Sequence, residues 1–165
     1  MTGRGVSELL QQIRFRPATP GDASALSRLA FRSKAHWGYD IEFMRRCKAE
    51  LTYSPEQIGR SDAHFHVCEL DGRIVAFYAL EELGNGRGEL EALFVVPDLI
   101  GNGVGRFLVE KAREEAAALG IGTIVIQGDP NAEAFYLSVG AVAAGYRESA
   151  SIPGRFLPLY HLDTN

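Results

Sequence analysis

The sequence predicts an α/β protein of the α+β type, with a mixed, mostly antiparallel central sheet of about seven strands flanked by about four helices. Three observations carry this. A period-two segment interrupted by Asp71-Gly72 gives an antiparallel hairpin. A β-branched run after a long amphipathic helix gives a βαβ crossover. The element order β-α-α-β-β-β-α-β-α-β-β then places the hairpins first and the crossover later. At 165 residues the chain is about one domain's worth, so 1–165 is read as one unit with a flexible start over 1–10.

Residues 11–16 alternate polar and apolar side chains and stop at Pro17, as a short strand does. Thr19-Pro20-Gly21-Asp22 opens a helix, and Ala23, Leu26, Leu29, Ala30 and Ser33 follow at helical spacing. A second helix is expected over 40–49 with Ile41, Met44 and Cys47 inward. Residues 63–83 form the hairpin, and Gly84 to Gly88 turn the chain into a strand over 89–96 that Pro97 ends. A helix over 103–119 carries Val104, Phe107 or Leu108, Ala112, Ala116 and Leu119 on one stripe, and Gly120 closes it. A buried strand over 121–126, a helix over 131–139 and strands over 141–147 and 156–162 complete the order.

Composition narrows the function classes. Lys and Arg number 17 against 21 Asp and Glu, a net charge of -4, which argues against a nucleic-acid or anionic-membrane surface. No run approaches the ~18 apolar residues of a membrane span, and the N-terminus lacks a signal-peptide core. Cys47 and Cys68 form no metal or redox pattern and read as small buried residues of a cytoplasmic protein. Glycine is the anomaly, at 18 residues, six of them between Gly84 and Gly105.

Gly101, Gly103 and Gly105 alternate between a strand end and a helix start. Such a junction lets backbone approach a ligand closely and presents unpaired N–H groups at the positive end of the helix, a cradle for phosphate. A nucleotide P-loop needs Lys-Ser/Thr after its last Gly, whereas Gly105 is followed by Arg106-Phe107. The dinucleotide fingerprint needs a third Gly where Arg106 or Leu108 stands.

The loop resembles the acetyl-CoA-binding motif of the GCN5-related N-acetyltransferase (GNAT) superfamily, Arg/Gln-x-x-Gly-x-Gly/Ala after a strand ending Val-x-Pro. Val95-Val96-Pro97 and Ile100-Gly101-Asn102-Gly103-Val104-Gly105 carry the match, with Ile100 in place of Arg or Gln. The change costs on the order of 1 kcal/mol of cofactor contact because the backbone donors remain. The stretch from Asp129 to Ala141 is similar to the family's later motif, with Asp129 where Asn is frequent and Asn131 five residues before Tyr136. Ala35-His36-Trp37-Gly38-Tyr39 and Ser151-Ile152-Pro153-Gly154-Arg155 resemble an uncharacterised bacterial subgroup. The resemblance implies acetyl-CoA as donor. It also implies that Leu93, Phe94 and Val95 hold the pantetheine arm through their backbone, that Gly101, Asn102, Gly103, Val104, Gly105, Arg106 and Asn131 complete the CoA site, and that Tyr136 protonates the departing thiolate.

Direct transfer from a thioester to an amine needs a base for the ammonium and a donor for the thiolate. Glu89 and Glu91 are expected on one strand face, opposite Leu90, Ala92, Phe94 and Val96. Glu91 is the candidate base, with His36 or a water as the alternative. His36, Trp37 and Tyr39 suit the acceptor pocket, where aromatic faces attract a cation. His64 and His66 share a face at i, i+2 spacing but lack a third ligand, so no metal is expected. Arg155 suits either the acceptor or a phosphate.

These residues predict an acetyl-CoA-dependent N-acetyltransferase acting on a primary amine of a small molecule or peptide, with no nucleic acid or membrane partner. Exposed edge and C-terminal strands suit a homodimer. A non-catalytic acyl-CoA-binding or sensor module is the second reading, supported by Ile100 and the shifted Asn.

Overall fold

A computed structural model describes residues 5–165. Its strands are β1 (Arg14–Pro17), β2 (Ala63–Leu70), β3 (Arg73–Gly84), β4 (Arg87–Val95), β5 (Thr123–Gln127), β6 (Val142–Glu148) and β7 (Phe156–Asp163). Its helices are α1 (Val6–Gln12), α2 (Ala23–Ala35), α3 (Ile41–Cys47), α4 (Pro55–Ile58), α5 (Val104–Ala118) and α6 (Glu133–Ser138). The strands form one sheet in the order β1-β2-β3-β4-β5-β7-β6. Among the described residues β4–β5 is the one parallel pair, and the other neighbours run antiparallel.

The turns are set by local chemistry. Asp71 and Gly72 have φ of 51° and 79°, the left-handed pair of a tight hairpin, and Asn85 and Gly86 repeat this at 54° and 73°. The second turn is therefore two residues long, and β4 starts at Arg87 rather than Glu89. Helix α2 is entered through Asp22, which accepts from the Thr19 N–H at 2.8 Å, and Arg16 clamps Asp22 (2.9 Å) and Glu69 (2.6 Å) across β1 and β2.

Two cores flank the sheet. Helices α1 and α5 cover one face, where Val104, Leu108, Ala112 and Ala116 are buried against Tyr78, Leu80 and Ile124. Helices α2 and α3 cover the other, where Leu26, Ala30, Met44 and Cys47 meet Phe65, Phe77 and Ala92. Truncating a buried leucine such as Leu108 costs about 2–5 kcal/mol, so each face contributes several such increments.

Several expectations are corrected. Six α-helices are present among the described residues, not four. Helix α1 occupies positions expected to fray or to begin a strand, with Leu9 buried, while 1–4 lie outside the described residues. Capping creates α4: the Ser54 hydroxyl accepts from the Gln57 N–H, and the Gln57 side chain accepts from the Ser54 N–H at 2.7 Å. Ile41, expected inward, is 81% exposed because α3 begins there and turns Met44 and Cys47 to the core instead. Leu119 lies half in solvent at the helix end.

The correction that matters most lies in β4. Ala79 pairs with Ala92 while Leu80 pairs with Leu90, so Glu91 is an extra residue with no partner on β3. This β-bulge resets the alternation. Leu90 packs on the α5 side, Ala92 and Phe94 on the α2 side, and Leu93 and Val95 on the α5 side again. The bulge falls where β4 leaves β5, whose pairing ends at Glu89–Val125. From Glu91 onward the β5-facing edge of β4 is open.

Candidate active site

The parting strands leave a cleft of about 710 Å³ through the sheet, running from the glycine loop on the α5 side to α2 and α3 on the other. It is lined by Glu91, Leu93, Phe94, Val95, Gly101, Gly103, Gly105, Arg106, Asn131, Tyr136 and Trp37. These eleven come from the sequence-derived candidates. His36, Tyr39, Asn102 and Val104 do not line it. Val104 is fully buried in the core, so only its backbone can serve a ligand. His36 is exposed and meets the edge of Trp37 at 5.8 Å.

At the α5 end Gly103 is the N-cap, with φ of 85° and no side chain capping the helix. The first-turn N–H groups are thereby left to a ligand. A Cβ on Gly105 would sit 3.2 Å from the Phe135 ring, so glycine permits the close approach of α5 to α6. Arg106 reaches across to the Ser138 carbonyl at 3.3 Å, and Ile100, half-exposed, lines the same end.

Mid-cleft, Glu91 has no hydrogen-bond partner among the described residues. Water reaches it from the open cleft while protein crowds its other sides. That crowding, followed by the charges of Glu81, Glu50 and Glu89, raises its pKa from the ordinary 4.5 to about 7. Glu89, two residues before Glu91, is instead paired with Arg147 of β6 at 2.5 Å. β6 reaches this end of the sheet through β7. Tyr136 is buried with its ring 5.3 Å from that of Tyr160, and burial, then Tyr160 and Asp129, push its pKa up. It stays a neutral O–H at any working pH.

The α2/α3 end holds a polar knot that joins four segments of the chain. Asp129 Oδ2 accepts from Tyr39 Oη (2.8 Å) and Lys34 Nζ (3.1 Å), while Oδ1 accepts from the Asn131 backbone N–H (2.9 Å) and Nδ2 (2.8 Å). Burial opposes ionisation of Asp129, but these donors outweigh it and hold the carboxyl below the ordinary 3.8. Tyr39 stacks on Phe43 at 4.1 Å and accepts from Arg155 Nη2 at 2.9 Å. Tyr39 thus stands behind the cleft wall and orients residues that form it. Lys34, Phe43, Cys47 and Glu50 belong to this end and carried no sequence signal, since each is an ordinary helix or loop residue until the β6–β7 connection folds over it.

The histidine pair lies elsewhere. His64 bonds Glu82 at 2.9 Å, and His66 stacks with Phe15 (4.9 Å) and Tyr78 (5.4 Å), which also stack on each other, in a three-ring cluster. Among the described residues no group of three His, Cys, Asp or Glu is placed to hold a metal, and no helix is long and apolar enough to cross a membrane.

An open mixed sheet that parts at its centre beside a glycine-capped helix is the fold of solved acetyltransferases. It matches an acetyltransferase of the GNAT family from Staphylococcus aureus with a TM-score of 0.72 at 16% identity, over 93% of this chain and 99% of that one. It also matches the PaiA N-acetyltransferase from Thermoplasma acidophilum in complex with coenzyme A, with a TM-score of 0.69 at 19% identity over 89% and 97%. The chain belongs to the acetyltransferase (GNAT) family, whose sequence model covers residues 28–141. It is 31% identical over 121 residues to an uncharacterized N-acetyltransferase of Methanocaldococcus jannaschii. That alignment covers 70% of this chain and 53% of the relative, so the chain spans about half the relative's length.

Proposed function

We propose that this protein is an acetyl-CoA-dependent N-acetyltransferase that transfers the acetyl group directly to a primary amine of a small molecule or peptide. The observation that carries the reading is the cleft itself, which joins the uncapped α5 end, the open edge of β4, Glu91 and Tyr136 in one continuous space.

The residues fit the donor in order. The N–H groups following Gly103, with Arg106 beside them, would hold the CoA phosphates. The open edge of β4 over Leu93, Phe94 and Val95 offers unpaired backbone groups to the amides of the pantetheine arm, as to an added strand. An acetyl thioester held there would supply an activated acyl carbon. Asn131 and Tyr136 line the opposite wall.

The chemistry then balances on two side chains. Glu91, about half ionised near pH 7, takes a proton from the incoming ammonium. The amine nitrogen forms the new C–N bond as the C–S bond breaks, and its second proton is lost as the amide forms. Tyr136 gives its hydroxyl proton to the departing sulfur and recovers one from the site. One proton ends on sulfur and one goes to solvent. His36 does not line the cleft, which supports Glu91, acting directly or through a water, as the base.

The test measures acetyl-CoA binding and thiol release across a panel of amines. Release with at least one amine supports the enzyme. Binding without release on any acceptor replaces it with the sensor reading, and absence of binding overturns both.

A further inference from the structure

Charges of both signs line the acceptor end of the cleft, and some are already paired. Glu89 is ion-paired with Arg147 and Lys34 with Asp129, while Glu50 keeps its charge and accepts the Ser151 hydroxyl at 2.5 Å. Two others face the cleft with hydrogen-bonding groups to spare. One is the Glu91 carboxylate at the bulge. The other is Arg155, on the β6–β7 connection.

Arg155 is held as a prepared anion anchor. Its guanidinium carbon lies 4.7 Å from the Phe43 ring centre and 5.2 Å from that of Tyr39, so the aromatic faces fix its position. Nη2 is oriented by the Tyr39 hydroxyl at 2.9 Å. The nearest carboxylate, Asp129, is 4.0 Å away and already accepts four hydrogen bonds. No other protein acceptor among the described residues meets the remaining N–H groups, and the side chain lines the cleft. A guanidinium with free parallel donors matches a carboxylate in bidentate fashion.

Arg155 is also on the wrong side to serve the CoA phosphates. Tyr39 and Phe43 pack on the α2/α3 core, while the glycine loop opens the helix of the α5 core on the opposite face.

Resting on the transferase reading, we propose that the acceptor is an amino-carboxylate, an amino acid or a close relative, whose ammonium faces Glu91 while its carboxylate is bound by Arg155. A diamine fits poorly, because its second ammonium would meet Arg155 and Lys34. An uncharged amine leaves the Arg155 donors unpaired, which site selectivity penalises.

The experiment compares matched acceptors, several amino acids against their carboxamides and their decarboxylated amines. A charge-assisted bidentate contact makes the free acid better in kcat/KM by ~10- to 100-fold. In Arg155→Gln that preference collapses toward ~1, and Arg155→Lys restores part of it as a point charge without the fork. Circular dichroism of both variants checks that they fold. Equal or better use of the amide by the wild type, or equal loss on acid and amide in Arg155→Gln, overturns the proposal. Thermal-shift titrations with the same acid and amide pairs, with and without CoA, separate this from failure of the transferase reading. If no amine is acetylated but acids alone shift the melting point and Arg155→Gln abolishes the shift, the carboxylate site stands and the enzyme reading falls. If acids and amides shift it alike, the carboxylate site falls.

Discussion

Replacing Glu91 by glutamine removes one proton-binding group and nearly nothing of the side-chain volume. With its pKa at about 7, wild-type kcat/KM is expected to rise tenfold per pH unit below about pH 6 and to level off above about pH 8. Glu91→Gln should lose on the order of 10²–10³-fold in kcat, and the acid limb should vanish with it. The same shift acts on stability. The folded pKa is raised, so the contribution of the neutral carboxyl is fully present below 4.5 and is lost as pH rises through about 7. Moving from 4.5 to about 7 corresponds to roughly 3 kcal/mol at 1.36 kcal/mol per pH unit. Water touches Glu91 in the open cleft, which reduces the expected effect to about 1 kcal/mol. Urea unfolding should therefore show Glu91→Gln more stable than wild type by that amount at pH 8.5 and equal to it at pH 4. Glu81→Gln, which removes the strongest neighbouring charge, should move the limb to lower pH while leaving it above 4.5, because burial remains the larger cause. An acid limb that persists in Glu91→Gln, or a stability difference that is the same at both pH values, refutes the base assignment.

Tyr136→Phe should lower kcat by ~10- to 100-fold with little change in acetyl-CoA affinity, which steady-state kinetics and calorimetric titration check together. Gly128→Ala places a Cβ 2.9 Å from Tyr136 Cε2 and 3.0 Å from Tyr160 Cε2. It should cost about 1–3 kcal/mol in urea unfolding and misplace the Tyr136 hydroxyl, lowering kcat without removing the group. At Gly103, φ of 85° makes alanine strained by about 1–2 kcal/mol, and Gly103→Ala should weaken acetyl-CoA binding measured by calorimetry. Asp129→Asn leaves Lys34 without its counter-charge. The native carboxyl is held below 3.8, so it contributes stability above that value, and thermal melts should show the variant's deficit at pH 7 shrinking as pH falls below 3.8.

Much of the glycine-loop end of the cleft was legible because its signals are local. Glycines at Gly101, Gly103 and Gly105 state a backbone requirement on their own, and Pro97 states where the strand must stop. The stripe Val104, Leu108, Ala112 and Ala116 locates α5 because helical period needs no partner to be read. The α2/α3 end was not legible in the same way. Tyr39, Asn131 and Arg155 were each visible as separate residues, but their meeting at Asp129 spans up to 116 positions of sequence. His36 stood beside Trp37 in sequence, yet the end of α2 turns it to solvent and leaves Trp37, at 40% exposure, on the cleft rim.

Sequence alone therefore determined what short-range physics decides: the Asp71-Gly72 hairpin turn, the α2 and α5 stripes, the glycine-led junction and, through them, the α/β architecture. Tertiary structure decided everything that depends on register and charge through space. Strict alternation along β4 misplaced Leu90 relative to Ala92 and Phe94, because a bulge exists only in the pairing of β4 with β3. The same bulge opens the strand edge and sets Glu91 among Glu81, Glu50 and Glu89. Its proton affinity belongs to that enclosure, since burial and neighbouring charge act over distances that the order of residues does not record.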